Sequence, residues 1–385
     1  MKRLHPASPR NAGAKRLERG SRANRIHVKC WIHAFLAPLF IILTLTQARA
    51  ESLQRTIDRI IRDDKVPGAV LLVSGPSGRQ VVAAGIANKA TGEAMRPDSR
   101  FYIASSGKLV TTVTILQMVG EGRVGINDRI FDTVKSIPGI TRLANITQVT
   151  LAQLLTHRSG LPDYYTDRFT SLADQHRDKL FTADESLAFA YDADAENEPG
   201  AAYNYSNTNF VLLGRIAEIL GRSSYAELTR QRVFVPAGMG STTIGANKTT
   251  PHLAHGYVKD DDGKLQDVSF NGWNAITGDG AIVTTAADYE SLLFALFRDG
   301  KLLPPNELEL AQSVARGNGD AGYGHGIEIS DGHWGVMYGH SGYIPGFTAE
   351  VWYIPSLKLA VVFFCNGDRA GGGDVVEQAV TAWLR

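Results

Sequence analysis

The chain has 385 residues, with 40 Lys and Arg against 39 Asp and Glu and only two cysteines, Cys30 and Cys365. The charge is uneven: residues 1–50 hold ten basic residues and one acid, so the remaining 335 carry 30 basic and 38 acidic residues, a net −8. This excludes a nucleic-acid partner for the body of the chain, and one cysteine beyond residue 50 excludes an intramolecular disulfide there.

Residues 1–50 read as a signal peptide. Nine Lys and Arg between Lys2 and Lys29 precede the 15-residue apolar run Trp31–Leu45 and the small-x-small sequence Ala48-Arg49-Ala50, the order of a cleavable export signal. The run is shorter than the roughly 20 residues of a spanning helix. Cleavage before Glu51 and a periplasmic or secreted product are therefore expected, with membrane attachment only if the segment is retained. Beyond it, residues 69–74 and 79–84 flank Gly75-Pro76-Ser77-Gly78, which predicts a hairpin, and a short strand is expected over Arg100–Ala104. Residues 108–119 (KLVTTVTILQMV) are apolar nearly all round and end at Gly120, which predicts a helix buried inside the protein with Ser105 at its N-terminus.

The middle of the chain reads as helical. Thr182-x-x-Glu185 and Ser224-x-x-Glu227 are capping-box patterns, and Phe210–Leu220 ends at Gly221. From about residue 323 the period returns to that of strands, with a hairpin of Phe347–Ile354 and Lys358–Cys365. Asp374 then caps a helix whose stripe is Val375, Val376, Ala379, Val380, Trp383 and Leu384. Cys365, at the end of an apolar strand, reads as a small core residue. The fold class is α+β: N- and C-terminal segments share one antiparallel sheet flanked by helices, with a mostly helical lobe inserted. Residues 51–385 form one catalytic domain, its sheet lobe about 51–107 and 265–385 and its helical lobe about 108–264.

Three short patterns carry chemistry. Ser105-Ser106-Gly107-Lys108 places a hydroxyl and an amine at i and i+3, on one helix face. Burial and the positive end of the helix both favour a neutral Lys108, which can take a proton from Ser105, otherwise a weak nucleophile. Ser106 lacks such a partner, since Leu109 stands three residues on. In Tyr205-Ser206-Asn207 the phenol can shuttle a proton, and the amide can reach both Lys108 and a substrate carbonyl. Equally, Asn207 serves as a helix N-cap and Tyr205 as core. In Gly339-His340-Ser341-Gly342 a glycine-bearing strand edge admits substrate backbone, and a nearby N–H completes an oxyanion hole with that of Ser105; an ordinary loop histidine is the alternative.

In this order the three patterns resemble the serine beta-lactamase and penicillin-binding superfamily, in particular the class C beta-lactamase, D-alanyl-D-alanine carboxypeptidase and related esterase group. The resemblance extends to Leu154–Leu161 (LLTHRSGL), Pro199-Gly200, Val211–Gly214 and Gly280–Asp288, nearly the whole chain beyond residue 50. It implies that Ser105 is acylated and Lys108 is its base partner. It further implies that Tyr205 shuttles protons for the leaving group and the deacylating water, and that Asn207 is the orienting amide. His340 stands where class C enzymes carry Lys and would give electrostatic support, while the N–H of Tyr343, one past Gly342, shares the oxyanion hole with Ser105. His157 ties a turn together.

The expected activity is that of an esterase or D-alanyl-D-alanine carboxypeptidase-like serine hydrolase without cofactor or metal, acting on small-molecule or peptide substrates: esters, D-amino-acid peptides or beta-lactams. A catalytically silent penicillin- or peptidoglycan-peptide-binding protein and a weak class C-like beta-lactamase are the alternatives. Esters are expected to be preferred over D-Ala-D-Ala peptides. Residues 321–339 contain no Lys or Arg to hold a terminal carboxylate, which leaves Arg158 and Arg316 as the alternative cations from elsewhere in the chain; Glu328 and Asp331 would repel that carboxylate, and Tyr343 replaces a small hydroxyl residue. An alpha/beta-hydrolase elbow fails because Gly339–Tyr343 ends in Tyr. A zinc site on His252 and His255 fails for want of an acidic ligand at a telling spacing.

Overall fold

The computed structural model describes residues 49–177, 179–270, 277–313, 322–369 and 374–385. The predicted signal segment lies outside the described residues except for Arg49 and Ala50, which begin a helix over residues 49–63. Arg316 also lies outside them.

Eight strands form one antiparallel sheet. In chain order they are β1 (Gly68–Gly75), β2 (Gly78–Asn88), β3 (Glu93–Ala94), β4 (Gly322–Tyr323), β5 (Glu328–Gly332), β6 (Gly335–Ile344), β7 (Phe347–Ile354) and β8 (Leu359–Cys365). Their order across the sheet is β3-β2-β1-β8-β7-β6-β5-β4, so β1 and β8 from opposite ends of the chain pair at its centre, Ala69 opposite Cys365 and Val73 opposite Val361. Both strands are buried along nearly their whole length, and apolar apart from Ser74 of β1, because both faces are covered. Successive side chains alternate between two cores. Ala69, Leu71, Val73, Val361, Phe363 and Cys365 pack with Leu53 and Ile57 of the 49–63 helix and with the last helix, Val375–Leu384. Val70, Leu72, Val362 and Phe364 face the larger core on the other side, which holds the helical region.

Asp374 caps the last helix through Glu377 N, and Trp383 is buried, but the predicted stripe ends there: Leu384 is 53% exposed. Thr182 closes a complete capping box on a short helix, Ala183–Leu187. Ser224 accepts from Glu227 N ahead of Tyr225–Thr229, while the Glu227 carboxylate turns to Arg230 and Gln231.

Two helices position the site: α1 (Lys108–Gly120), buried along nearly its whole length, and α2 (Asn207–Gly221), which packs against it. The expected strand at Arg100–Ala104 is only Phe101–Tyr102, and it joins a separate three-stranded sheet beside Ile282–Thr284. Ala104 stops it by taking a positive φ of 47°, rare for a residue with a Cβ. A single 3-10 turn, Ala104–Gly107, then leads into α1, so Ser105 stands in that turn and Lys108 is the first residue of the helix.

The turn is wedged between two glycines. A Cβ on Gly280 would stand 2.8 Å from the Ala104 carbonyl oxygen, and one on Gly342 of β6 would stand 2.2 Å from the Ile103 carbonyl oxygen and 2.8 Å from Ser106 Oγ. Neighbouring backbone cannot yield to such contacts without moving the serine. Gly342→Ala is therefore expected to destabilise the protein by about 2 kcal/mol, the cost of overpacking a rigid site, read as a lower midpoint in chemical denaturation. An unchanged midpoint would mean that β6 does not press on the turn.

Candidate active site

Lys108 is fully buried, and its Nζ lies 2.9 Å from Ser105 Oγ, 2.9 Å from Asn207 Oδ1 and 3.0 Å from the Asp279 carbonyl oxygen. The Tyr205 hydroxyl donates to the same Ser105 Oγ at 2.9 Å. Serine, lysine, tyrosine and asparagine thus meet around one hydroxyl, drawn from the 3-10 turn, the start of α1, the residues just before α2 and its first residue. Ser106 turns away and donates to the His340 carbonyl at 3.1 Å.

Burial lowers the Lys108 amine to about 8, against the opposing pull of the Asp279, Asp163 and Glu328 carboxylates. The Tyr205 phenol moves the other way: burial raises it well above its ordinary value despite its bond to Ser105. The two groups next to the serine are separated in role by this difference. Lys108 can shed its proton near neutral pH and act as a base, whereas Tyr205 keeps its proton and can act as a donor.

Asn207 is held at both ends. Its backbone N–H and its Nδ2 donate to the two carboxylate oxygens of Asp163, at 3.1 and 3.0 Å, leaving Oδ1 for Lys108. Helix α2 begins three residues earlier than its apolar pattern predicts, and Asn207 is its first residue rather than its N-cap. Ser206 holds the cap position without a side-chain cap bond, and the Asp163 carboxylate accepts the Asn207 N–H from outside the helix, a favourable place for negative charge.

On the far side of the cleft, β6 pairs with β7 without a register break from Tyr338 to Ile344. Ser341 N donates away from β7, to Glu328 Oε2 at 2.8 Å. Backbone N–H groups two residues apart point the same way along an antiparallel strand, so Tyr343 N–H also points away from β7. The cleft, about 80 Å³, is lined by Ser105, Tyr164, Tyr165, Asn207, Asp279 and Tyr343 among others, and its described lining contains neither Lys nor Arg. Arg158 turns to the Gly200 carbonyl at 3.5 Å.

His340 departs from the expected electrostatic support. Its ring is fully buried, Nε2 is 3.0 Å from the Tyr323 hydroxyl and Nδ1 is 2.6 Å from the Ser341 carbonyl oxygen. Burial, with help from the nearby Lys108 charge, lowers it to about 3, so it is neutral at ordinary pH. Glu328, expected only as a repelling charge, accepts from Ser341 N and Oγ and is raised by burial to about 7. His252 and His255 lie off any helix, and His255 is engaged by Asp267 at 2.7 Å and Asn88 at 3.1 Å. Cys365 is buried, and burial pushes its thiol up to about 12.

Sequence reasoning missed Asp163, Asp279 and Tyr323. Asp163 stands two residues past the Leu154–Leu161 segment and Asp279 one before Gly280, a closeness that could have flagged both. Tyr323 carries no such signal.

A serine hydroxyl bonded to a buried lysine on an antiparallel sheet flanked by helices defines an acyl-transfer site of the serine-hydrolase kind. Residues 53–382 match the Beta-lactamase family model, and the chain belongs to that family. It is 26% identical over 333 residues to Penicillin-binding protein 4* of Bacillus subtilis (strain 168), covering 82% of this chain and 72% of that one. A D-stereospecific amidohydrolase from Streptomyces sp. superposes with a TM-score of 0.75 at 25% identity, over 87% of this chain and 98% of its own. The D-amino acid amidase of Ochrobactrum anthropi SV3, solved with L-phenylalanine amide, gives 0.74 at 26% identity, over 89% and 97%.

The Lys108 value sets a pH dependence. If the neutral amine is the reactive form, the reactive fraction falls about tenfold per unit below pH 8 and levels off above it. Fluorophosphonate inactivation should therefore rise with pH to an inflection near 8, an apparent value shared with the coupled Glu328. A rate that peaks near pH 4 would point to carboxylate chemistry instead.

Proposed function

We propose that the protein is an exported serine hydrolase that forms an acyl-enzyme on Ser105 from esters and amides lacking a carboxylate beside the scissile bond. The observation that carries this reading is the pairing of two unlike groups, Lys108 Nζ and Tyr205 Oη, each 2.9 Å from one serine oxygen. Ser105 Oγ attacks the carbonyl carbon while its proton passes to neutral Lys108. The oxyanion forms between the N–H groups of Ser105 and Tyr343, and Tyr205 gives its proton to the leaving group as the carbonyl–heteroatom bond breaks. Water then enters, the same groups act in reverse, and the acid is released.

The substrate class follows from charge. Among the described residues the cleft lining supplies no Lys or Arg, while Asp279, Asp163 and Glu328 all act on Lys108. A substrate carboxylate would find no cation of the strength that a charge-assisted bond needs. The same field favours a free amine on the substrate, so amides and esters of amino acids are a second reading, in line with the amidase and amidohydrolase names of the two structural neighbours. Export rests on the basic, apolar and small-residue order of residues 1–50; N-terminal sequencing of the mature protein should begin at Glu51, and a start within the basic region would overturn it.

Fluorescent penicillin or fluorophosphonate should label the wild type and leave Ser105→Ala unlabelled; a silent binding protein would form no adduct. Lys108→Ala and Tyr205→Phe should each lower turnover by on the order of a hundredfold in preparations with unchanged circular dichroism. Activity within a few-fold of wild type in Lys108→Ala would remove the mechanism. At pH 7.5, kcat/KM should favour a short-chain ester over an acylated D-Ala-D-Ala peptide after correction for intrinsic reactivity. A clear preference for the peptide would overturn the charge argument.

A further inference from the structure

Behind Tyr205, away from the serine, lies a second set of buried polar groups that the mechanism above does not use. The Tyr205 ring stacks on the imidazole of His157, with centroids 4.1 Å apart and an interplanar angle of 26°. His157 is fully buried and sits at a positive φ of 53°, so its ring is delivered to this place by an unusual backbone turn. Its Nδ1 lies 3.1 Å from Ser206 N and 3.1 Å from Asn209 Nδ2, and its Nε2 lies 3.2 Å from the hydroxyl of Tyr323. That hydroxyl in turn lies 3.0 Å from His340 Nε2.

The proton on each atom is fixed by its neighbours. A backbone N–H can only donate, so His157 Nδ1 accepts from Ser206 and carries no proton. The Asn209 amide agrees: Leu161 N donates to Ser159 Oγ at 3.1 Å, so the Ser159 hydroxyl is free to donate to Asn209 Oδ1 at 2.5 Å, which leaves Nδ2 facing the imidazole. Neutral His157 is then protonated at Nε2 and donates to the Tyr323 oxygen. The Tyr323 hydroxyl, with one proton to give, donates to His340 Nε2. His340 is left with its proton on Nδ1, directed at the Ser341 carbonyl oxygen at 2.6 Å and beside Glu328 Oε1 at 3.2 Å. Every donor in the chain meets an acceptor, and no other orientation of the protons satisfies both ends.

We propose that Tyr323 is a positioning residue for Tyr205: its hydroxyl closes a one-directional hydrogen-bond chain from Ser206 N–H through His157 and His340 to the Ser341 carbonyl, and so locks the imidazole on which the Tyr205 ring rests. The chain joins the residues ahead of α2 to strand β6, the two walls that face each other across Ser105. Burial lowers both imidazoles, His157 well below its ordinary value and His340 to about 3, so the chain holds its neutral form across the working pH range. The proposal rests on Tyr205 being the proton donor to the leaving group.

That dependence supplies a readout that a merely structural role would not move. A nitrophenolate leaves without protonation, whereas an alkoxide or anilide needs the Tyr205 proton. Tyr323→Phe keeps the ring and removes the hydroxyl, and is expected to lower kcat/KM for an alkyl ester or anilide by about tenfold, a modest case of misplacing a reacting group, with less than twofold loss for the nitrophenyl ester. Equal losses on both, or none on either, would overturn it. In the wild type, nitrogen-15 NMR of the imidazoles should find His157 protonated at Nε2 only and His340 at Nδ1 only between pH 6 and 8. A proton on His157 Nδ1, or either ring cationic at pH 6, would break the chain. The NMR measurement stands whether or not the variant folds and whether or not Ser105 is the nucleophile, which the Ser105→Ala labelling decides separately.

Discussion

The burial of one amine governs the site. Removing the Lys108 ammonium from water disfavours its charged form, and the nearby carboxylates return part of that loss, leaving the group at about 8. Deeper burial without the acids would leave a neutral amine of little basicity; exposure would leave a permanent cation. Neither would suit a serine hydroxyl that must lose its proton near neutral pH. Three acceptors from separate parts of the chain, Ser105 Oγ, Asn207 Oδ1 and the Asp279 carbonyl, hold Nζ in place. Each is itself held: the serine by its turn, the asparagine by Asp163, and the Asp279 side chain by Tyr164 at 2.7 Å.

Close backbone contact is the second constraint. The serine turn touches Gly280 on one side and Gly342 on the other, at distances that a methyl group would violate. These contacts bring the Ser105 and Tyr343 N–H groups to the two sides of one cleft, and they tie the site, through β6 and β7, to the pairing of β1 with β8 in the same sheet. The Ser105 turn is therefore set by the sheet as much as by the helix that follows it.

Much of this was legible in advance because it depended on local patterns. The apolar run of 108–119 gave a buried helix, the hairpin signals gave the central strands, and Ser105, Lys108, Tyr205 and Asn207 meet as one hydrogen-bonded group beside the cleft that Tyr343 lines. The readings that changed were those in which a distant partner overrode a local rule. Asn207 fits an N-cap by residue type but lies inside α2, because Asp163 from another segment accepts its N–H. His340 reads as electrostatic support by residue type but is held neutral by burial, enclosed by Tyr323, Ser341 and the sheet. Leu384 continues the apolar stripe of its helix but faces solvent at the chain's last turn.

The amino-acid order by itself determined which chemical groups were available and which elements would carry them, since helix and strand periods, caps and glycine turns act over a few residues. It also determined, for the residues beyond 50, the −8 balance and the lack of an internal disulfide. Tertiary structure alone decided the ionisation of Lys108, the retained proton of Tyr205, the neutral tautomers of His157 and His340, and the direction of the Tyr343 N–H. Each of these is a matter of solvation and of partners contributed by other elements, from 17 positions away for Tyr323 with His340 to 171 for Lys108 with the Asp279 carbonyl. Local sequence encodes neither burial nor distant donors, and those are the quantities that set a proton's place.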